Sequence, residues 1–173
     1  MKRVKHPEIK AGIWVDSDSA MVVRMEGQTE PVIQTVESGI ENRVRFAGEG
    51  KRFARFGNTF MSDEEKKERR LQQQLKKYYQ KIAAIISDAD YLCIYGPGKR
   101  KQELQHFIES NPGHHGWLVE CGNAGKMKVS LFAVKVKEFF GGQAFKVYRR
   151  NKRKNQEYQL PESSRPFHML TLR

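Results

Sequence analysis

Tyr91-Leu92-Cys93-Ile94-Tyr95-Gly96-Pro97-Gly98-Lys99 is the stretch that decides the fold. Five β-prone, apolar residues with no polar alternation predict a strand buried on both faces, as in the interior of a parallel sheet. Gly96-Pro97-Gly98 stops it. Residues 99–110 follow as a helix with Leu104, Phe107 and Ile108 inward, ended by Asn111-Pro112-Gly113. A second strand is expected over residues 116–121. A helix over residues 126–140 would use Val129, Phe132, Val136 and Phe139, although the alternation of Met127, Val129 and Leu131 also fits a strand. Strand, helix, strand, helix in this order implies parallel pairing with right-handed crossovers.

Upstream, Ser62-Asp63-Glu64-Glu65 is a capping box, with serine at the N-cap and acids at the positive end of the dipole. Leu71, Leu75, Tyr78, Ile82, Ile85 and Ile86 then step by three and four, which predicts a long amphipathic helix ending near Ser87. Nearer the N-terminus, residues 12–15 and 20–25 are apolar runs around the turn chemistry of Asp16-Ser17-Asp18-Ser19, and residues 31–36 alternate like a third strand. The meander joined to the parallel strands gives a mixed sheet with helices on its faces. That is a three-layer α/β sandwich.

Charge bounds the function. The 173 residues carry 32 Lys and Arg against 20 Asp and Glu, a net charge of +12. Such a field draws in polyanions. Cys93 and Cys121 lie in apolar runs outside any CxxC or Cys/His spacing and are expected to be free thiols of a reducing compartment. Residues 1–10 form a basic arm without the apolar stretch of a signal peptide, and no run approaches the ~20 apolar residues of a membrane helix. A cytoplasmic protein without a membrane partner is expected.

Three segments carry candidate chemistry. In residues 37–61, Arg43, Arg45, Lys51, Arg52 and Arg55 interleave with Phe46, Phe53, Phe56 and Phe60. Guanidinium groups neutralise phosphates while aromatic rings stack on unpaired bases, so the mixture suits RNA. The alternative is phenylalanines tucked into the core beneath solvated arginines. In the second segment, Gly96 and Gly98 bring the chain into a helix opening with Lys99, Arg100 and Lys101, which suits phosphate contact or a tight turn with solvated charges. The P-loop pattern GxxxxGK[ST] is missing, so nucleotide hydrolysis is not expected. The third is Gly141-Gly142-Gln143. GGQ is the hydrolytic tripeptide of polypeptide release factors, yet two glycines also end helices. From residue 141 onward eight Lys or Arg face two acids, and Lys146, Arg149, Arg150, Lys152, Arg153 and Lys154 form a dense run. Residues 141–173 are therefore expected to be a basic, flexible tail. His114-His115 has no acidic or Cys partner at ligand spacing, and Asp16 and Asp18 suit a hairpin turn, so neither metal nor cofactor is expected. No Ser/His/Asp or Cys/His triad stands out.

The segment Gly96-Pro97-Gly98-Lys99-Arg100-Lys101-Gln102-Glu103-Leu104, with Phe107-Ile108 after it, resembles the GPG-x-x-K-x-E-L segment of the third domain of archaeal and eukaryotic class I release factors and Pelota. Ile13-Trp14-Val15-Asp16, Ile40 to Arg43, Gly48 to Lys51, Arg55-Phe56-Gly57 and Phe139-Phe140 look like bacterial single-domain relatives of the "translational machinery" type. The resemblance spans residues 11–140. It implies a fold related to the kink-turn RNA-binding ribosomal proteins, and a module that packs on a translational GTPase without chemistry of its own. The run Lys99-Arg100-Lys101-Gln102 departs from the commoner small or acidic residue before the lysine, which favours RNA over a protein surface. In the full factors GGQ precedes this domain, whereas here it follows the last helix. An RNA- or ribosome-associated binding protein in translation or ribosome rescue is expected, with the ribosome or a structured RNA as partner. The alternatives are a peptidyl-tRNA hydrolase acting through Gln143 and an adaptor docking a translational GTPase.

Overall fold

A computed structural model describes residues 7–27, 29–40, 63–111 and 116–159. Strand β1 (Ile9–Val15) lies at the centre of a five-stranded sheet. The hairpin partner β2 (Ser19–Glu26) runs antiparallel on one side, with β3 (Val32–Glu37) beyond it. On the other side β4 (Tyr91–Gly96) and β5 (Trp117–Asn123) run parallel to β1, giving the order β3-β2-β1-β4-β5. The mixed sheet is the expected one. The β1–β2 turn closes because the Asp16 carboxylate accepts from the backbone amides of Asp18 and Ser19, both at 2.8 Å.

Because successive side chains alternate across a strand, each strand serves two cores. Ala11, Ile13, Val15, Ala20, Val22, Leu92 and Ile94 face one side, where α1 (Asp63–Ile85) and α2 (Arg100–Glu109) cover them. Trp14, Met21, Val23, Tyr91, Cys93 and Tyr95 face the other, under α3 (Val129–Gly141) and α4 (Gln143–Gln159). Burial on both faces explains why β1 and β4 read as continuous apolar runs. Gly12 lets α3 approach β1 so closely that a Cβ there would overlap the Val136 side chain. The Trp14 indole donates to the Gly125 carbonyl at 3.1 Å and fixes the segment leading into α3.

Two expectations change. The helix expected over residues 126–140 is present rather than the alternative strand, but it spans Val129–Gly141, with Lys128 extended at its N-cap. The basic segment expected as a flexible tail carries α4 over residues 143–159. Its anchor is Phe145, 2% exposed, packed edge-on against Tyr91 (ring centroids 5.1 Å apart) and Phe140 (4.9 Å). Burying such a ring contributes roughly 1.5–3 kcal/mol toward docking a helix that composition alone would leave free. The Ser62 cap, the 41–62 segment with Arg43, Arg45, Lys51, Arg52 and Arg55, the His114-His115 pair and residues 160–173 lie outside the described residues.

Candidate nucleic-acid interface

The GPG turn joins β4 to α2. A Cβ on Gly96 would overlap the Val15 carbonyl oxygen, and Gly98 sits at φ +59°, so both positions call for glycine. The chain enters α2 with no side-chain cap on its first turn. The three cations that follow have different fates. Lys101 is 5% exposed, and its ammonium donates to the Gly98 carbonyl at 2.5 Å, closing the turn from within. The Arg100 guanidinium donates to Glu103 Oε2 at 2.6 Å, and Tyr79 Oη from α1 donates to the same oxygen at 2.7 Å. Burial pushes the Glu103 carboxyl up, but the hydrogen bonds from Tyr79 and Arg100 outweigh it and hold the group below the usual carboxylate range. The Tyr79 phenol is pushed up by burial and by the neighbouring carboxylate. Lys99 alone of the three turns to solvent, 3.4 Å from Glu103 Oε1.

Helix α4 divides its cations in the same way. Phe145, Tyr148, Arg149 and Lys152 fall on the inward face. Arg149 Nη2 pairs with Glu8 at 2.8 Å, and Lys152 Nζ sits 4.1 Å from the centroid of the Trp117 ring. Lys146 and Arg150 point outward. Arg153 and Lys154 lie on the same helix, their side chains outside the described residues. At the other end of α4, Gly141 closes α3, Gly142 bridges the two helices and Gln143 begins α4 with its side chain exposed. Neither glycine takes a positive φ. A cleft of about 410 Å³ opens beside Gly141, with Lys10, Lys137 and Glu30 at its polar wall and Met25 and Phe140 on its apolar side.

One cationic surface among the described residues was not among the sequence candidates. Inward, α1 carries Leu75, Tyr78, Tyr79 and Ile82. Outward, the exposed positions between residues 66 and 84 hold Lys66, Arg69, Arg70, Lys76, Lys77 and Lys81, with Glu68 as the sole acid among them. Glu68 is bonded to Gln72 Nε2 at 2.6 Å. The signal was present in the sequence: the apolar periodicity that identifies the helix also assigns these six residues to its opposite face. Two basic helix faces therefore stand on opposite layers of the sandwich.

Among the described residues no group of three or more His, Cys, Asp or Glu could hold a metal ion. Cys93 is buried and Cys121 half-buried, both free, and burial pushes both thiols up. Among the described residues, no helix is long and apolar enough to cross a membrane.

No family model matches the chain, and no curated protein matches it. Among solved structures it is similar to an archaeal translation termination factor, aRF1, with 14% identity over 87% of this chain and 40% of that one and a TM-score of 0.44. It is similar to a second archaeal protein at 15% identity, covering 87% and 39% of the two chains with a TM-score of 0.45. The Alp12 filament structure follows at 10% identity, 79% and 47% coverage and a TM-score of 0.36. The chain spans about two fifths of the length of the first two.

Proposed function

We propose that this chain is an RNA-binding protein of translation or ribosome rescue that acts on the ribosome or another structured RNA by binding, without bond cleavage of its own. The observation that carries this reading is the outward face of α1, where the exposed positions between residues 66 and 84 hold six Lys or Arg and one acid on a helix seated by its apolar face. Cations held on a docked helix neutralise phosphates at a lower entropic cost than cations on a free chain. Lys146 and Arg150 on α4 supply a second cationic surface, Lys99 contributes at the GPG turn, and Arg43, Arg45, Lys51, Arg52 and Arg55 precede α1 in the chain. The resemblance of the GPG segment to the release-factor third domain favours a ribosomal partner.

The test is cosedimentation with ribosomes across a salt series. Neutralising several phosphates releases counterions, so pelleting should fade steeply as salt rises. Absence of pelleting at every salt concentration would end the ribosomal reading. A second reading, the adaptor that docks a translational GTPase, has one feature in its favour. A groove of about 540 Å³ between α1 and α2 presents Leu75, Tyr79 and Phe107 above a rim with Lys76, Glu103 and His106. Ribosome association that survives both high salt and ribonuclease would point there.

A further inference from the structure

The outward face of α1 is patterned as well as charged. Residues four or seven apart return to nearly the same side of a helix. Arg69 and Lys76 therefore form one cationic row, while Lys66, Arg70, Lys77 and Lys81 form a second. Between the rows, again seven apart, run Gln73 and Gln80, both exposed. No aromatic residue is exposed anywhere on the described length of this helix, and both its tyrosines are buried.

We propose, building on the RNA-binding reading above, that α1 is a duplex-reading helix that lies along the shallow minor groove of A-form RNA. The two cationic rows would face the phosphates of the two strands, and the glutamine line would face the 2′-hydroxyls between them. Three features support this over an unpaired strand or DNA. Single strands are gripped by stacking bases on aromatic rings, and this face offers none. An A-form minor groove is wide and shallow and lined with 2′-hydroxyls that donate and accept, as glutamine amides also do. The helix is long, 23 residues or about 34 Å, so its cations span several phosphates along the groove.

The experiment uses the full chain with three probes: a blunt RNA duplex, one of its strands alone, and the DNA duplex of the same sequence. Titrations are run across a salt series. The duplex RNA should bind tightest. Lys77→Ala with Lys81→Ala should weaken it by on the order of tenfold at moderate salt and lower the slope of log affinity against log salt by about two. Gln73→Ala with Gln80→Ala should keep that slope and shrink the preference for RNA over DNA several-fold, because a lost amide–hydroxyl bond does not alter counterion release. All four positions are exposed, so the thermal midpoint should stay unchanged and a binding loss cannot be charged to unfolding. Equal affinity for the single strand or for DNA overturns the duplex assignment. If duplex RNA binds but responds only to Lys146→Ala with Arg150→Ala, the RNA-binding reading stands and the role of α1 falls. If none of the three probes nor ribosomes bind at any salt, both fall together.

Discussion

Helices α1 and α4 each turn cations outward from opposite layers of the same sheet, but they are attached by different means. Helix α1 sinks Leu75, Tyr78, Tyr79 and Ile82 into a core shared with β1, β2 and β4. Among the described side chains of α4, Phe145 alone is buried, with Arg149 on Glu8 and Lys152 over Trp117 at the edges. A helix seated by a full apolar stripe belongs to the cooperative unit of the domain. A helix seated by one buried ring, the half-buried Tyr148 and two partly exposed cation contacts is expected to open more readily by itself, since partly exposed ion pairs contribute little.

The largest effect should come from removing that ring. Phe145→Ala is expected to cost about 3–5 kcal/mol of the docking of α4, as large-to-small changes at buried aromatics do. Hydrogen exchange would then show residues 143–152 losing protection while β1 and β4 keep theirs. In α1, Ile82→Ala should cost a comparable ~2–5 kcal/mol, but spread over the whole domain as a lower thermal midpoint. If Phe145→Ala lowers protection throughout the sheet as well, the two helices are not separate units and the contrast is lost.

The next effect separates a cation that holds the fold from one that faces the solvent. Lys101→Ala leaves the Gly98 carbonyl without its buried donor and should destabilise by about 1–3 kcal/mol. The salt slope of ribosome binding should not move. Lys99→Ala should show the reverse, an unchanged thermal midpoint and a slope lower by no more than about one. A reversed pattern would mean that Lys101 leaves its pocket to meet phosphate.

A smaller effect appears with pH. Glu103 is held below the usual carboxylate range, so its ionised form contributes stability that is present above about pH 4.3 and is lost as pH falls through its lower, folded value. Wild type should therefore exceed Glu103→Gln in thermal midpoint by its widest margin near neutrality, with the margin closing in acid. A gap that widens on acidification would contradict the hydrogen bonds from Tyr79 and Arg100.

The same contrast explains what was legible in the sequence. The succession of strands and helices, the α1 stripe and the GPG turn were readable because apolar periodicity, β-prone runs and glycine act locally. Helix α4 was missed because a single phenylalanine gives no period, and the dense charge around it reads as a disordered tail. The cationic face of α1 was missed for the opposite reason: its apolar face accounted for the helix so fully that the outward residues passed as solvated surface. Nothing in composition distinguishes Lys101, closed into its turn, from Lys99 two positions earlier. That depends on the backbone path through Gly98.

The smallest effect should come from Gln143. Gly141 and Gly142 are poor helix formers, which suits the break between α3 and α4. A Cβ at Gly141 would meet open space and neither φ is positive, so the backbone geometry there does not require glycine at 141. Gly141→Ala and Gln143→Ala should each shift stability by less than about 0.5 kcal/mol, as exposed substitutions usually do. Neither should alter ribosome pelleting at any salt, because neither removes a cation. The decisive assay is release of the acyl group from peptidyl-tRNA on ribosomes. If the wild-type chain releases none, the tripeptide is a helix break and α4 serves only to present its charges. If the wild-type chain releases it and Gln143→Ala does not, with pelleting intact, the exposed corner beside the Lys10–Lys137 cleft is catalytic and the proposal of binding without cleavage is wrong.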